Sequence, residues 1–552
     1  MGIFSKKSAS SEAPDSISHS PPPDIEANDK PAAIHAETLS QTTTTPHSKW
    51  HLSSKDSDGD TALALFSNPD ELHEPISQAD ERALQWKIDL MILPYLAVCY
   101  AFFYIDKTTL SYAAIFGIKD DLKLKGTEYS WLSSIFYFGF LAWAFPTNFM
   151  MQRFPIGKYL GINIFMWGVF LMLQACAKTF TQLAVLRAFS GAAEACSDPS
   201  FMLITSMWYT RRQQPLRIGI WYTANGLGIS CGGLLGYGIG HIKGSLPSWK
   251  YEFLIIGALC SIWAGIVLFF FLPDSPVTAK SLTPKQRRWA VERLRENQTG
   301  VENKHLKKYQ VLEAFKDPKL YLFYVLGVVG NIPNGGISNF GTLIIQGFGF
   351  STLVTTLMQV PYGVLIAISI LTCVFLNDHV SRHGLQTRCY FIILFLLPNI
   401  SGAFGLAFLS PHNKAGRLIC YYLTGPYNAA FVMILSLQTA NTAGHTKKVV
   451  TNAVLFLGYC TGNIAGPFFY KTDQAPRYQL GIWSMIVSHL LEVVVILTLR
   501  WLLSKENRKR DGEQGIGIDE GWEARELRER ERDRTAFSDM TDRENLNFRY
   551  IY

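Results

Sequence analysis

Cysteine patterns that would hold a metal or a disulfide framework are missing from this sequence. The nine cysteines are scattered, show no zinc spacing and are odd in number, so we expect them to be packing residues. They are Cys99, Cys176, Cys196, Cys231, Cys260, Cys373, Cys389, Cys420 and Cys460. No phosphate-binding loop and no pairing of a nucleophile with a base stands out either. The sequence therefore predicts no enzyme, no metal and no cofactor.

Charged side chains are also scarce, at 17% of the 552 residues, whereas hydrophobic residues make up 48%. A transmembrane helix needs about 20 predominantly apolar residues. Twelve stretches reach that length, at 88–117, 128–151, 159–178, 181–208, 218–241, 252–272, 319–346, 351–376, 389–409, 416–440, 449–470 and 478–503. We therefore expect an all-α polytopic membrane protein with twelve transmembrane helices, called spans one to twelve.

The first eighty or so residues show no apolar signal-peptide core and are rich in Ser, Thr, Pro and Asp. Such a composition does not bury a core, so we expect residues 1–85 to form a disordered tail. The rest of the chain divides into an N-terminal six-helix half at 86–272, a central loop at 273–318, a C-terminal six-helix half at 319–503 and a charged tail at 504–552.

Basic residues are distributed unevenly among the loops. Lys and Arg are frequent after spans two, four, eight and ten and in the central loop, and fewer occur in the opposite loops. The positive-inside rule therefore predicts that both tails and the central loop are cytosolic. The net charge of +7 follows from this bias and does not argue for nucleic-acid binding.

The central loop contains a predicted basic amphipathic helix, which begins at Thr283-Pro284 and ends near Asn297. Four of its arginines suit contact with anionic lipid, namely Arg287, Arg288, Arg293 and Arg295. Membrane lipids are therefore expected partners of this loop.

A few charges nevertheless lie within the apolar spans, where each costs roughly 2.5 kcal/mol or more near the bilayer centre. Asp106 and Lys107 interrupt span one, and Arg187, Glu194 and Asp198 fall in span four. At about 100° per residue, the three charges of span four share one helical face. Charges in a membrane helix usually face a bundle interior or a watery cavity, so this stripe predicts a lining.

The two halves of the chain share landmarks at a fixed offset. Arg187 in span four corresponds to Arg417 at the start of span ten, 230 residues later. Glycines also recur at every fourth position in both halves, at Gly228, Gly232, Gly236 and Gly240 in span five and at Gly458, Gly462 and Gly466 in span eleven. Small residues at this spacing let another helix approach closely. Together these features predict duplicated halves, a transporter architecture with a midplane site between the repeats.

Several segments carry a family resemblance that extends from about Trp86 to Arg500. They are Asp106–Ala113, Gln152–Lys158, Arg187–Gly191 with Glu194 and Pro199, Leu272–Pro276, Glu296–Lys304, Ala443–Lys448 and Asn463–Pro467. These residues resemble the major facilitator superfamily and, within it, the fungal allantoate permease-like anion:cation symporters. The chain departs from the family pattern at Asn148 and Gln152, where an acidic residue is frequent, and at Lys107, where many relatives carry Arg.

That resemblance implies proton-coupled import of a small organic anion, with a carboxylate or sulfonate such as a ureido acid, a vitamin or an amino-acid derivative. It also implies a monomer in the plasma membrane, with the anion and protons as partners. The alternative function is a nutrient sensor that keeps the fold and binds its ligand without transporting it.

The intramembrane charges are the leading candidates for function. Lys107 would hold the anionic group of the substrate as a point charge; alternatively, it neutralises Asp106 or extends outward to the membrane surface. Glu194 would exchange a proton while Arg187 tunes its affinity or binds the anion, and Asp106 is the second proton candidate. The alternative for these residues is a buried structural network between spans one and four. For Asp198 we favour a structural role.

Polar residues in other spans are further candidates for substrate binding. Asn331, Pro333, Asn334, Gly335, Gly336 and Asn339 form a polar and broken stretch in span seven, which predicts either irregular backbone lining a cavity or a simple bend. Asn334 and Asn339 are the substrate candidates there, and Asn225, Tyr427 and Asn463 are candidates elsewhere. His489 and Glu492 lie one turn apart in span twelve and are expected to form a structural pair.

Overall fold

The computed structural model describes residues 77–210, 213–295, 307–381, 386–514 and 540–552, and helices and turns account for the regular structure within these ranges. Span one begins at Gln78, ten residues before the predicted start. Its N-terminus is capped by Ser77, whose hydroxyl oxygen accepts a hydrogen bond from the backbone N–H of Asp80 at 3.1 Å. The expected disordered tail at 1–85 is therefore wrong for its last residues, and residues 1–76 lie outside the described part.

Twelve helical spans follow one another within the described ranges. Spans one to three are Gln78–Ile115, Glu128–Arg153 and Ile156–Gln174, and span four is Phe180–Glu194 with Ser197–Trp208. Span five is Gln214–Tyr222 with Ala224–Gly240, and span six is Ser248–Ile262, a π-helical turn at Trp263–Leu268 and Phe269–Phe271. Spans seven to nine are Pro318–Gln346, Thr352–Leu357 with Gln359–Ser381, and Arg388–Phe408. Spans ten to twelve are Lys414–Leu423 with Tyr427–Ala440, His445–Ala465 with the 3₁₀ turn Gly466–Phe469, and Gln479–Glu513.

Short helices connect the spans, at Ile118–Asp121, Pro284–Arg295, Lys308–Lys316 and Thr472–Gln474. By length and apolar composition alone, eight helical stretches of the described residues are able to cross a membrane, namely spans one, three and seven to twelve. The remaining four spans are shorter, interrupted or more polar. They complete the twelve-helix architecture because they pack between the others in the same bundle.

The two glycine ladders lie at equivalent helix crossings in the two halves. A Cβ atom at Gly228 would overlap the carbonyl oxygen of Ala101, so span five lies directly against span one. A Cβ atom at Gly458 would overlap the carbonyl oxygen of Tyr324, so span eleven lies against span seven in the same way. Each half therefore packs its fifth helix against its first through glycine. The six-helix halves are built alike.

The halves meet along spans one and seven, two and eleven, and five and eight. Hydroxyl groups join them: the Ser111 and Thr342 hydroxyl oxygens lie 2.6 Å apart, and Tyr129 donates to the carbonyl of Asn339 at 2.7 Å. Ser230 donates to the carbonyl of Val360 at 3.0 Å. Polar groups of both halves are therefore buried at this boundary.

Span seven is a continuous helix, although its sequence suggested a break or a bend. Pro333 lies inside the helix and removes one backbone donor, but the asparagines on either side bond to the helix itself. The amide nitrogens of Asn331 and Asn339 donate to the carbonyls of Gly327 and Gly335, each at 2.8 Å. The prediction of irregular backbone is therefore wrong.

The end of the chain also differs from the expected charged tail at 504–552. Span twelve continues to Glu513, and residues 540–552 return to the C-terminal half. Asn507 of span twelve exchanges two hydrogen bonds with the backbone of Tyr550, at 2.8 and 2.9 Å. Asn441, at the end of span ten, exchanges two with the backbone of Ile551, both at 2.7 Å. Residues 515–539 lie outside the described part.

The basic helix of the central loop starts where predicted, with the Thr283 hydroxyl accepting from the backbone N–H of Gln286 at 3.2 Å. Arg293 on this helix is buried and donates to the carbonyl of Trp208 at 2.8 Å. The expectation that Arg293 contacts lipid is therefore wrong, because its guanidinium group holds the loop against span four. Residues 296–306 lie outside the described part.

Candidate functional site

Lys107 lies where the two halves meet. Its ammonium group donates a hydrogen bond to the hydroxyl of Tyr459 on span eleven at 2.9 Å, and it lies 3.8 Å from Oε1 of Glu194 on span four. It also lies 4.8 Å from the centre of the Tyr104 ring. The side chains of Lys107 and Glu194 are only 9% and 4% exposed. This cation is therefore buried and only loosely paired.

Glu194 ends the first helical segment of span four, and the chain turns at Ala195 and Cys196 before the helix resumes. One carboxylate oxygen faces Lys107, while the other, Oε2, is buried without a hydrogen-bond partner. A buried carboxylate oxygen with no partner is costly, unless a proton or a ligand satisfies it. Glu194 is thus open to a change of partner.

Asp106 points away from its neighbour Lys107. Its Oδ2 accepts a hydrogen bond from the indole N–H of Trp167 on span three at 3.0 Å, and its Oδ1 is buried without a partner. Among the described residues, Lys107 therefore pairs within 4 Å with Glu194 and not with Asp106, as expected for successive helix positions that diverge by about 100°. Lys107 does not extend outward either, since its ammonium group lies inside the bundle.

Arg187 lies on span four but does not form an ion pair with Glu194 within the described residues. Its Nε donates to the carbonyl of Leu132 on span two at 2.6 Å, and its guanidinium group lies 5.7 Å from the centre of the Phe136 ring. Its buried guanidinium group therefore joins spans two and four. The sequence predicted the shared face but not that Lys107 would be the partner of Glu194.

A first, narrow cavity lies between the halves, lined by spans one, five, seven, eight and ten. Of the predicted candidates, Asn225, Asn334 and Tyr427 line it, whereas Lys107, Arg187, Asn339 and Asn463 do not. Its other polar lining residues are uncharged and were not predicted. They are Tyr104, Thr108, Ser111, Tyr112, Ser338, Thr342, Gln359, Tyr362, Tyr421 and Asn428.

Hydrogen bonds connect this cavity to the surroundings of Lys107. Tyr427 donates to Oδ1 of Asn334 at 2.8 Å, and the amide nitrogen of Asn334 donates to Oδ1 of Asn463 at 2.8 Å. Asn463 in turn donates to the backbone carbonyl of Tyr459 at 2.9 Å. Asn463 therefore supports the site from behind. Asn339 has a different place, because its carbonyl takes part in the contact between the halves.

A second, narrow cavity lies beside Tyr459 and is lined mainly by aromatic rings. Its lining residues are Tyr100, Asp198, Met202, Trp221, Tyr222, Phe431, Leu435, Phe456 and Tyr459. The sequence did not predict this cavity, because aromatic residues in apolar spans resemble ordinary packing residues. Asp198 was the available signal, since it is the only charged group among these lining residues.

His489 and Glu492 form the predicted pair in span twelve, with Nδ1 of the imidazole 2.9 Å from Oε2 of the carboxylate. Both side chains are buried, and the imidazole lies 5.8 Å from the ring of Tyr427. The pair therefore supports the back of the first cavity without lining it.

Comparison with known proteins places these features in a family. The family model for the Major Facilitator Superfamily matches residues 96–467. An allantoate permease of Saccharomyces cerevisiae is 32% identical over 539 residues, which cover 95% of this chain and 96% of the permease. The thiamine pathway transporter THI73 of the same yeast is 36% identical, over 84% of this chain and 86% of its own length.

Further similarities agree with this placement. The uncharacterized transporter C460.05 of Schizosaccharomyces pombe is 37% identical, over 90% of each chain. A crystal structure of a bacterial homologue of the human lysosomal transporter Spinster, inward-facing and unoccupied, matches with a TM-score of 0.51 at 14% identity. The match covers 74% of this chain and 95% of that one, and it supports the fold alone.

Proposed function

This chain belongs to the major facilitator superfamily, and we propose that it is a proton-coupled importer of small organic anions. It is a multi-pass membrane transporter of a small molecule, as its relatives are. The proposal of an anionic substrate and of proton coupling depends on one observation, the loose pair of Lys107 and Glu194 at 3.8 Å. A buried cation with a weak partner is suited to hold an incoming anion.

The same pair gives a physical reason for coupling. When a substrate carboxylate binds Lys107, Glu194 loses the cation that stabilises its charge. A buried carboxylate without a counter-charge favours the protonated form, so anion binding and proton binding support each other. Asp106, with its own unpartnered oxygen, is the second proton candidate. The relative named allantoate permease supports an anion as substrate, because allantoate is a carboxylate.

We place the importer in the plasma membrane as a monomer, with both termini in the cytosol. The basic loops support this orientation. Asn297-Gln298-Thr299 in the central loop is a glycosylation acceptor by sequence and is expected to stay unmodified there. A glycosidase-sensitive mass shift that disappears in Asn297→Gln would contradict the proposed orientation.

Transport measurements test the coupling directly. A growth screen of a strain that depends on this chain, across nitrogen, sulfur and vitamin sources, identifies a carboxylate substrate. The same carboxylate is then labelled for uptake measurements. In intact cells at acid external pH, Glu194→Gln is expected to lose accumulation against a gradient, because the amide does not carry the proton. Exchange of internal for external substrate is expected to survive, since it needs no net proton movement.

Lys107 variants separate anion binding from coupling. Lys107→Ala is expected to abolish both accumulation and exchange, whereas Lys107→Arg keeps part of each because the positive charge remains. Accumulation with unchanged pH dependence in Glu194→Gln would exclude Glu194 as the proton site. Specific binding of the carboxylate without uptake in the unmodified chain would instead identify a sensor.

A further inference from the structure

We propose that the second cavity is a cage for a positively charged nitrogen group, so that the transported anion is a zwitterion. The inference rests on the proposed function, because it assigns the anionic end of the substrate to Lys107. It adds a second binding site, for a quaternary or protonated ammonium group, at Asp198 and the surrounding rings.

The lining of this cavity has the composition of a cation site. Six aromatic rings surround it, and Asp198 provides a negative charge, whereas no Lys, Arg or His belongs to the lining. Aromatic faces attract a desolvated cation through their quadrupole, and cages of this kind recognise quaternary ammonium groups. The carboxylate of Asp198 and the faces of the six rings would repel the anionic group of a substrate. An anionic substrate therefore needs a cationic portion to occupy it.

Within the described ranges, Asp198 lacks a close partner, although the charge of Lys107 acts on it from a longer distance. Among the described residues it forms no ion pair within 4 Å and accepts none of the hydrogen bonds, although it faces the cavity and is only partly buried. A carboxylate with a purely structural role at this depth would be hydrogen-bonded or paired. The indole N–H of Trp221, whose side chain is almost fully buried, also lacks a partner. Beside the cavity, the indole N–H of Trp221 is thus unsatisfied, and Asp198 has no close partner among the described residues.

The rings form a continuous wall. The ring centre of Tyr100 lies 5.0 Å from that of Trp221 and 4.9 Å from that of Tyr222. On the other side, the ring of Tyr459 lies 5.9 Å from Phe431 and 6.2 Å from Phe456. The wall therefore includes both halves of the protein, with spans one and five facing spans ten and eleven. A cation held there would contact both halves at once.

Tyr459 connects the cage to the anion site. Its ring lines the cage, while its hydroxyl accepts the hydrogen bond from Lys107 at 2.9 Å. A substrate whose carboxylate binds Lys107 therefore has the cage within reach of a short chain. The arrangement fits a carboxylate and an ammonium group separated by a few methylene groups.

Two probes of equal shape test the inference. The first is 4-(trimethylammonio)butanoate, and the second is 5,5-dimethylhexanoate, in which a neutral carbon replaces the charged nitrogen. Binding is measured by calorimetry on the full-length protein purified in detergent. We expect the unmodified chain to bind the zwitterion at least about tenfold more tightly than the neutral isostere, because a desolvated cation gains from the rings and from Asp198.

Variants locate the source of that preference. Asp198→Asn is expected to reduce it to below about threefold while 5,5-dimethylhexanoate still binds. Asp120→Asn, which removes an exposed carboxylate on a connecting helix, is the matched control and is expected to keep the full preference. Phe456→Leu retains Asp198 but removes one ring, and we expect it to weaken the zwitterion more than the isostere. This variant tests the cage even if Asp198→Asn does not fold.

The outcomes separate the cage from the anion site. Equal affinity for the two probes in the unmodified chain, or a preference that Asp198→Asn and Phe456→Leu both retain, would overturn the cage. If the cage is overturned in this way but Lys107→Ala no longer binds the isostere, the proposal that Lys107 binds the anion still stands. If neither carboxylate binds, the anion proposal fails. Tetramethylammonium alone then decides the cage: binding lost in Asp198→Asn supports it, and absence of binding overturns it.

Discussion

Two clusters of buried charge in this transporter are built in opposite ways. In the membrane cluster, Lys107 and Glu194 lie 3.8 Å apart, and Asp106 and Glu194 each keep a carboxylate oxygen without a partner. The C-terminal cluster, composed of Glu313, Asp317, Lys319, Lys447 and Asp542, has closer ion pairs, although Oδ2 of Asp317 also lacks a hydrogen bond within the described residues. Lys447 alone lies 2.9 Å from Glu313, 3.0 Å from Asp317 and 2.8 Å from Asp542.

The difference indicates different tasks. Close ion pairs with complementary partners hold elements in one arrangement, and breaking one leaves an uncompensated buried charge. The C-terminal cluster therefore ties the starts of spans seven and eleven to the returning segment 540–552. The membrane cluster is loosely paired, so its charges exchange partners at lower cost when a proton or a substrate arrives. One cluster stabilises, and the other is suited to transport.

Removing one lysine from each cluster gives the strongest test of this comparison. Lys447→Ala is expected to destabilise the protein by about 3 kcal/mol, because three carboxylates lose a common cation. Lys107→Ala is expected to change the midpoint of thermal unfolding much less, since Glu194 can take up a proton in place of its loose partner. The measurement is thermal unfolding of the two variants in the same detergent and at the same pH.

Uptake measurements on the same two variants are expected to show the opposite order of effects. Lys107→Ala loses transport while it remains folded, whereas Lys447→Ala that reaches the membrane transports with the affinity of the unmodified chain. A large loss of stability in Lys107→Ala together with a small one in Lys447→Ala would contradict the division of tasks.

The sequence predicted the spans well because hydropathy and helix length follow from the thickness of the bilayer. Helix ends were less predictable. Span one begins at Gln78 and span twelve ends at Glu513, both beyond the apolar stretch, because a helix continues into water where hydropathy carries no signal. The glycine ladders were informative, because close approach of two backbones leaves room for glycine alone at the contact.

The candidate site was predictable in part. A charge inside an apolar span is costly enough to stand out, which identified Lys107, Glu194 and Asp106. Their partners were not predictable from spacing within one helix. The pairing of Lys107 with Glu194 depends on how spans one and four pack and on the turn at Ala195. The aromatic cage was missed because an aromatic residue inside an apolar span looks like an ordinary packing residue.

The C-terminal cluster shows the same limit. Lys447 follows span ten and was counted among the loop cations that set orientation, and nothing near it in sequence points to Asp542. That carboxylate lies 95 residues after Lys447 and reaches the cluster only because the segment 540–552 returns. Long-range ion pairs of this kind follow from tertiary packing, so spacing along the chain does not indicate them.

A pH dependence at Asp542 is the smaller effect that sharpens the comparison. Burial alone raises the pKa of the Asp542 carboxyl, but the ammonium groups of Lys319 and Lys447 outweigh burial and hold the pKa well below its ordinary value. A carboxyl with a lowered pKa in the folded state stabilises the protein above its unfolded pKa, which is about 4 for Asp. That stabilisation is lost as the pH falls through the folded pKa.

Asp542→Asn removes this dependence while it keeps the size of the side chain. We expect its midpoint of thermal unfolding to lie below that of the unmodified chain from pH 5 upward, by less than in Lys447→Ala, because both lysines keep Asp317 as a partner. The gap is expected to narrow as the pH is lowered from about 4, since Asp542 of the unfolded chain then takes up a proton while the folded carboxyl with its lowered pKa still stays charged. Asp120→Asn, at an exposed carboxylate, serves as the control, and we expect its unfolding midpoint to equal that of the unmodified chain at every pH measured. A gap that stays constant down to pH 3 would show that Asp542 acts through its shape and hydrogen bonds, and the C-terminal cluster would then not owe its stability to charge.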